Sequence, residues 1–107
     1  MTQLTPDQLK TWLADSIRTQ PVLLDVREPW EFQICQIPGS LHIPMNTVPH
    51  HKDRLDPDAD TVLICHHGSR SFQVGIFLER AGFSRIFNLD GGVNAWARQV
   101  EPAMPVY

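Results

Sequence analysis

Short apolar runs that alternate with helical patterns constrain the fold of this chain more than any other feature. Residues 22–26, 61–65 and 85–89 are largely apolar, and each run is too short for a buried helix. Such runs are typical of strands that are buried on both faces of a parallel sheet. Helical segments lie between them, so the sequence predicts a three-layer α/β fold with a mainly parallel sheet.

The segments between these runs contain mostly helical patterns, with one short strand and a turn. Thr5, Pro6 and Gln8 form a capping box with proline at the first helical position, which predicts a helix over roughly residues 6–15. The other predicted elements, in chain order, are a brief helix from Pro29, a short strand over 40–43, a weakly helical segment over 46–55 that Pro49 interrupts, a turn over 56–60, a long helix from about Ser71 that stops at Gly82, and a short helix after 90–92. No linker or repeat interrupts this pattern, and we expect a single domain over residues 1–107.

Composition excludes several classes of function. The formal net charge of −3 argues against a general nucleic-acid binder, which needs a basic face for the phosphates. No apolar stretch reaches the 18 residues of a membrane span, and the first residues lack the pattern of a signal peptide. The chain has two cysteines, fewer than a secreted disulfide scaffold normally carries, so we expect reduced thiols and a cytoplasmic location.

The segment from Cys65 to Arg70 is the candidate site. Cys65 ends a predicted strand and is followed by a short loop that contains Gly68 and then by a helix. Loop and helix N–H groups that converge on such a position gather negative charge and stabilise a thiolate. Free cysteine titrates near pH ~8.5, and the thiolate is the nucleophile, so the loop has to favour the anion. We therefore expect Cys65 to act as a nucleophile.

Three motifs follow one another along nearly the whole chain. They are Leu24-Asp25-Val26-Arg27-Glu28 with Glu31-Phe32 and Ile37-Pro38-Gly39-Ser40, then Cys65-x-x-Gly68-x-Arg70-Ser71, and finally Leu89-x-Gly91-Gly92-x-x-x-Trp96. With them the chain resembles the rhodanese-like single-domain sulfurtransferases. The resemblance implies a doubly wound domain with a five-stranded parallel sheet. It also implies a ping-pong reaction in which Cys65 takes a sulfane sulfur from thiosulfate or a similar donor and passes it, as a persulfide, to cyanide or a thiol.

The other loop residues have predicted roles, each with an alternative. The planar guanidinium of Arg70 suits the oxygens of thiosulfate, and the alternative is a surface ion pair. Gly68 permits a positive φ or close approach of the donor, unless it is an ordinary turn glycine. Ser69 caps the helix or donates to bound sulfur, and capping is favoured. His66 or His67, when protonated, would raise the thiolate fraction of the cysteine.

The five histidines do not predict a metal site. No pair has the spacing of a known zinc motif, so we expect no metal and no cofactor. The histidines are His42, His50, His51, His66 and His67.

The resemblance implies a supporting role for Asp25, Arg27 and Glu28, which tie the crevice together through ion pairs. Orientation of the donor by Arg27 is the alternative. The three tryptophans are expected in the core or at the rim. Cys35-Gln36 departs from the family, which usually has Gly-His there, and we expect an inert Cys35. An internal disulfide with Cys65 would require a Cα separation within about 7 Å.

Rival functions are a phosphatase, a persulfide carrier and a non-catalytic recognition module. Related dual-specificity phosphatases place five residues between cysteine and arginine, whereas four lie between Cys65 and Arg70, and the shorter loop fits a sulfur atom better. Recognition modules of this type often lack the cysteine. Arg70 favours thiosulfate over 3-mercaptopyruvate as donor, and a thioredoxin-like dithiol or a small thiol is the expected acceptor.

Overall fold

The computed structural model describes residues 1–107 and contains five strands and five α-helices. The elements are β1 (Thr2–Leu4), α1 (Pro6–Ala14), β2 (Val22–Asp25), α2 (Pro29–Ile34), β3 (Leu41–His42), α3 (Val48–His51), β4 (Thr61–Ile64), α4 (Ser69–Arg80), β5 (Ile86–Leu89) and α5 (Gly92–Gln99). Two short 3₁₀ helices, Met45–Thr47 and Lys52–Arg54, flank α3. No helix is both long and apolar enough to cross a membrane.

All five strands pair in parallel, in the order β1-β5-β4-β2-β3. The predicted α/β fold with a five-stranded parallel sheet is therefore confirmed. This order places β4 at the centre of the sheet, between β2 and β5. In open parallel sheets the crevice for a ligand lies beyond the carboxyl ends of the central strands. The loop that follows β4 thus begins where a site is expected.

Successive strand residues face opposite sides of the sheet and build two separate cores. Leu23, Ile64 and Leu89 pack on one side with residues of α1 and α5, among them Trp12 and Trp96. The core on the other side includes Leu24, Val48, Leu63, Val74, Leu78 and Ile86. Burial of each such side chain contributes about 1.5–3 kcal/mol, so the two cores hold both helical layers on the sheet.

The tryptophans take the expected positions. Trp12 and Trp96 are buried, whereas the side chain of Trp30 is 60% exposed and packs edge-on against Tyr107 with 5.6 Å between ring centroids. Trp30 therefore lies at the rim of the molecule near the carboxyl edge of the sheet.

The N-terminal strand β1 was not predicted from the sequence. Its residues Thr2 and Gln3 are exposed, and only Leu4 is buried, because β1 lies at the edge of the sheet and pairs with β5 alone. A three-residue edge strand with one buried side chain lacks the continuous apolar run by which the other strands were recognised.

Two helix boundaries also differ from the prediction. Helix α4 begins at Ser69 rather than near Ser71, because Gly68 adopts a left-handed φ of +103° and occupies the N-cap position. The predicted capping by Ser69 is therefore wrong, since Ser69 is already the first helical residue. Pro49 does not interrupt its segment, because it lies in the first turn of α3, where no intrahelical N–H donor is needed.

Candidate functional site

The Cys65 sulfur lies at the carboxyl end of β4, with two hydrogen-bond donors within reach. The Gly68 N–H donates to Sγ at 3.0 Å, and Ser71 Oγ lies 3.2 Å from it. Ser71 Oγ is also 2.5 Å from Asn88 Oδ1 and 3.2 Å from the Gly68 carbonyl oxygen. Because a hydroxyl has one hydrogen, Ser71 donates to one of these three acceptors at a given moment. Two donors are thus within reach of a thiolate on a residue that is only 1% exposed.

Gly68 has the conformation that the sequence predicted. Its φ of +103° is in the left-handed region, and a Cβ there would lie 3.3 Å from the Gly91 nitrogen and 3.4 Å from the Leu89 carbonyl oxygen. The positive φ favours glycine, and the tight space adds to this preference. In this conformation the N–H of residue 68 donates to the Cys65 sulfur.

The N-terminus of α5 holds the loop from the other side. The N–H of Val93 donates to the Cys65 carbonyl at 2.9 Å, and the N–H of Asn94 donates to the His66 carbonyl at 3.1 Å. Gly92 has a φ of +60°, and a Cβ at this position would collide with both carbonyl oxygens. The Gly91-Gly92 motif therefore permits the close contact between α5 and the cysteine loop.

Arg70 forms a two-pronged ion pair with Glu31. Its Nη1 and Nη2 lie 2.6 Å and 2.8 Å from Oε1 and Oε2 of the carboxylate. The Arg70 side chain is 36% exposed and that of Glu31 only 4%. The Arg70 hydrogen bonds lower the pKa of Glu31 to about 2, against the effect of burial and with help from the Glu28 N–H and the Tyr107 hydroxyl. The Glu31 carboxylate in turn raises the pKa of Arg70.

This geometry bears on both predicted roles of Arg70, the binding of thiosulfate oxygens and the formation of an ion pair. The arginine does form an ion pair, but its partner is a buried carboxylate at the site. The pair uses two of the five N–H donors of the guanidinium, so three are left for an incoming anion. Arg70 therefore combines a fixed orientation with free donors.

Asp25 and Arg27 form a second ion pair, which is completely buried. Arg27 Nη2 lies 2.8 Å from Asp25 Oδ2 and also donates to the Cys35 carbonyl at 2.6 Å. Burial lowers the pKa of Arg27, but the hydrogen bonds with Asp25, Tyr107 and Cys35 outweigh it, and the pKa is raised. Removing one member of such a pair leaves an unpaired buried charge and costs about 3–5 kcal/mol. The ion pair between Asp25 and Arg27 that the resemblance implied is therefore present, whereas its supporting role stays a prediction.

Glu28 does not belong to this ion-pair cluster, which corrects the prediction. Its side chain is exposed and takes part in no salt bridge. Glu28 is the N-cap residue of α2, and its backbone N–H donates to Glu31 Oε1 at 3.0 Å. The buried carboxylate that pairs with Arg70 belongs instead to Glu31, one helical turn further along the chain. Arg27 is fully buried, so the structure gives no support to its alternative role in orienting a donor.

Burial and the neighbouring His67 lower the pKa of His66 below the ordinary value of 6.5. This direction disfavours the cationic form, so it gives no support to the hypothesis that a protonated His66 raises the thiolate fraction. The His66 ring stacks on Tyr107 with 3.9 Å between centroids and lies 4.0 Å from the His67 ring. No group of three or more His, Cys, Asp or Glu side chains has an arrangement that could hold a metal ion.

Cys35 and Cys65 are both free thiols and belong to different cores. Cys35 packs in the cluster that includes Trp12, whereas Cys65 packs in the cluster that includes Val74. Cys35 Sγ lies 3.7 Å from Arg27 Nη1 and is buried. The two thiols thus pack against different sets of side chains.

Tyr107 completes the site from a distant part of the sequence. Its hydroxyl donates to Glu31 Oε2 at 2.8 Å and accepts from Arg27 Nη1 at 3.0 Å. Burial raises the pKa of Tyr107 to about 12, with a contribution from the bond to Glu31 and against the effect of Arg27. The phenol is therefore protonated and has its hydrogen available for the carboxylate.

Sequence reasoning assigned no role to four residues that the structure places at the site. Glu31 and Ser71 lie inside the quoted motifs, and Asn88 is a polar residue in an otherwise apolar strand, so signals for these three existed. Tyr107 has no local signal, because its partner Arg27 is 80 positions away.

The comparison with protein families agrees with this geometry. A sequence model described as "Rhodanese-like domain" matches residues 5–99. The chain is 38% identical over 101 residues to a sulfurtransferase of Allochromatium vinosum, covering 94% of this chain and 92% of the relative. It is 37% identical over 81 residues to the thiosulfate sulfurtransferase GlpE of Pseudomonas aeruginosa, covering 76% of this chain and 73% of the relative.

A plant relative and a solved structure extend the comparison. The chain is 37% identical over 89 residues to the chloroplastic rhodanese-like/PpiC domain-containing protein 12 of Arabidopsis thaliana; this match covers 79% of the chain but only 30% of that protein. The crystal structure of a rhodanese-like domain protein from Staphylococcus aureus superposes with a TM-score of 0.83 at 32% identity, over 90% of this chain and 91% of the other. Fold, motifs and site geometry lead to one assignment: this chain belongs to the rhodanese-like sulfurtransferase family.

Proposed function

We propose that the chain is a thiosulfate sulfurtransferase with a Cys65 persulfide intermediate. The Cys65 thiolate attacks the sulfane sulfur of thiosulfate and forms a new S–S bond. The S–S bond of thiosulfate breaks, and its electron pair leaves with sulfite. The observation that carries this proposal is a cysteine sulfur with two hydrogen-bond donors, next to an arginine fork that retains free donors.

The surroundings of Cys65 support an anion both before and after this step. The Gly68 N–H and the Ser71 hydroxyl stabilise the attacking thiolate. The first-turn N–H groups of α4 have no partner within the helix, so they are available to the terminal sulfur of the persulfide. The remaining donors of Arg70 suit the sulfonate oxygens of thiosulfate and of departing sulfite.

The second half-reaction transfers the terminal sulfur to an acceptor. A nucleophile attacks this sulfur, and the Cys65 thiolate leaves. Cyanide then becomes thiocyanate, whereas a thiol becomes a persulfide. Small thiols and thioredoxin-like dithiols are the acceptors that we propose for a cytoplasmic setting.

The persulfide is tested directly by mass spectrometry. After incubation with thiosulfate, the protein is expected to gain one sulfur atom, and peptide mapping is expected to place it on Cys65. Cys65→Ser should abolish the gain, whereas Cys35→Ser, which removes the other thiol, should retain it. No gain in the wild-type protein would favour a recognition module and refute the proposal.

Steady-state kinetics separate an enzyme from a carrier. Double-reciprocal plots of initial rate against thiosulfate concentration, at several cyanide concentrations, are expected to give parallel lines, as for a ping-pong reaction. Cys65→Ser should eliminate turnover. A persulfide that forms but is not passed to cyanide or any thiol would indicate a carrier that needs a docked partner. Cys65-dependent turnover of an aryl phosphate would instead support the phosphatase alternative.

A further inference from the structure

Tyr107 connects two ion pairs whose other direct hydrogen bond runs from Arg27 Nη1 to the Glu31 backbone carbonyl at 3.3 Å. The buried pair of Asp25 and Arg27 lies on one side, and the pair of Glu31 and Arg70 lies on the other. The Tyr107 hydroxyl accepts from Arg27 Nη1 at 3.0 Å and donates to Glu31 Oε2 at 2.8 Å. The hydroxyl therefore links the buried Arg27 to the Glu31 carboxylate itself, and through that carboxylate to the arginine of the cysteine loop.

The Glu31 carboxylate is saturated only when Tyr107 is in place. Oε1 accepts from Arg70 Nη1 and the Glu28 N–H, and Oε2 accepts from Arg70 Nη2 and the Tyr107 hydroxyl. A carboxylate has about four acceptor positions, so all are used. Without the hydroxyl, Oε2 depends on Arg70 alone. Besides Arg70, the carboxylate then keeps only the Glu28 N–H to fix its rotation.

The Tyr107 ring is held independently of its hydroxyl. It stacks on His66, the residue next to Cys65, with an interplanar angle of 13°. Trp30 packs against it edge-on. Phenylalanine at this position is therefore expected to keep the ring contacts and to lose only the two hydrogen bonds.

We infer that Tyr107 is a positioning residue for Arg70. Through Glu31, its hydroxyl holds the guanidinium in the orientation that guides an anionic reactant to Cys65. This inference deepens the proposed function, on which it rests in so far as the sulfur donor is an anion.

Alkylation of Cys65 tests this role without any sulfur transfer. Iodoacetate is an anion and iodoacetamide is neutral, so the ratio of their rates reports how well the site attracts negative charge. Peptide mass spectrometry measures the Cys65 rate separately from that of Cys35. We expect Tyr107→Phe to lower the iodoacetate-to-iodoacetamide ratio about fivefold, as for one charge-assisted hydrogen bond at a partly exposed site.

Two further variants make the test specific. Val106→Ala changes an exposed neighbour in the same segment and should leave the ratio unchanged. In a Glu31→Gln background, Tyr107→Phe should have little additional effect, because the tyrosine acts through that carboxylate. For turnover, Tyr107→Phe should raise the KM for thiosulfate about fivefold while kcat changes less than about twofold.

Several results would overturn the inference. An unchanged ratio in Tyr107→Phe would do so, as would equal slowing of both reagents, which would indicate a general change in the loop. A full fivefold loss in the Glu31→Gln background would show that Tyr107 does not act through Glu31. Failure of thiosulfate to load sulfur onto Cys65, together with the expected change in ratio, would refute the proposed donor but support the role of Tyr107.

Discussion

Replacement of Glu31 by glutamine should lower the stability of the protein in a pH-dependent manner. The pKa of Glu31 falls from 4.5 to about 2 in the folded state. At about 1.4 kcal/mol for each pKa unit, this shift corresponds to about 3 kcal/mol. Because Arg70 is partly exposed and solvent screens the pair, we expect about 2 kcal/mol from Glu31→Gln at pH 7.

The sign of the pH dependence follows from the direction of this shift. The folded-state pKa of Glu31 is depressed, so its contribution is fully present above pH 4.5 and is lost as the pH falls towards 2. At pH 3 the unfolded chain has mostly bound the proton, whereas the folded protein is still mostly ionised. The difference between wild type and Glu31→Gln should then be below about 1 kcal/mol.

Urea unfolding at a series of pH values from 7 to 3 measures this difference. Glu28→Gln is the matched control, because it changes an exposed glutamate at the N-cap of the same helix that forms no salt bridge. Its effect should be below about 0.5 kcal/mol at every pH. A Glu31→Gln effect that stays constant between pH 7 and 3 would refute the ion-pair explanation and indicate a loss of packing instead.

Three further variants test the cysteine loop. Ser71→Ala removes one of the two donors within reach of the Cys65 sulfur and should slow iodoacetamide alkylation at pH 7 about tenfold; an unchanged rate would show that Ser71 donates to Asn88 or to the Gly68 carbonyl and not to the sulfur. Gly92→Ala should cost about 3 kcal/mol in thermal or urea unfolding, whereas Gly82→Ala, with a φ of +98° but open space, should cost only about 1 kcal/mol; equal costs would contradict the collision with the loop. Arg70→Lys keeps the charge but loses the planar set of guanidinium N–H donors, so the KM for thiosulfate should rise about tenfold in initial-rate kinetics. A change confined to kcat would argue against a role of Arg70 in binding the sulfur donor.

The sequence predicted those features of the fold that local patterns determine. The apolar runs located β2, β4 and β5, and the capping box placed the start of α1 at Pro6. The edge strand β1 was not predicted from its residues, because a short strand with a single buried side chain gives no periodic signal. Gly68 was recognised because a positive φ is a property of one residue and its neighbours.

Much of the site was not predictable, because its contacts join residues that are far apart in the sequence. Glu31 and Arg70 are 39 positions apart, and Arg27 and Tyr107 are 80 apart. The residue type indicates that a carboxylate can accept a hydrogen bond and that a phenol can donate or accept one. It does not indicate which distant group is the partner. The expected place of Glu28 in the ion-pair cluster was wrong, because Glu28 is the exposed N-cap of α2 and the buried carboxylate at the site belongs to Glu31.

The packing of the two thiols in different cores has a consequence for the lifetime of a sulfur-loaded protein. Cys35 is buried in its own core with its sulfur against Arg27, so we expect it not to attack a persulfide on Cys65 and release hydrosulfide. The loaded protein is then expected to retain its sulfur until an external nucleophile arrives. The lifetime of the stored sulfur should therefore shorten as the concentration of acceptor rises.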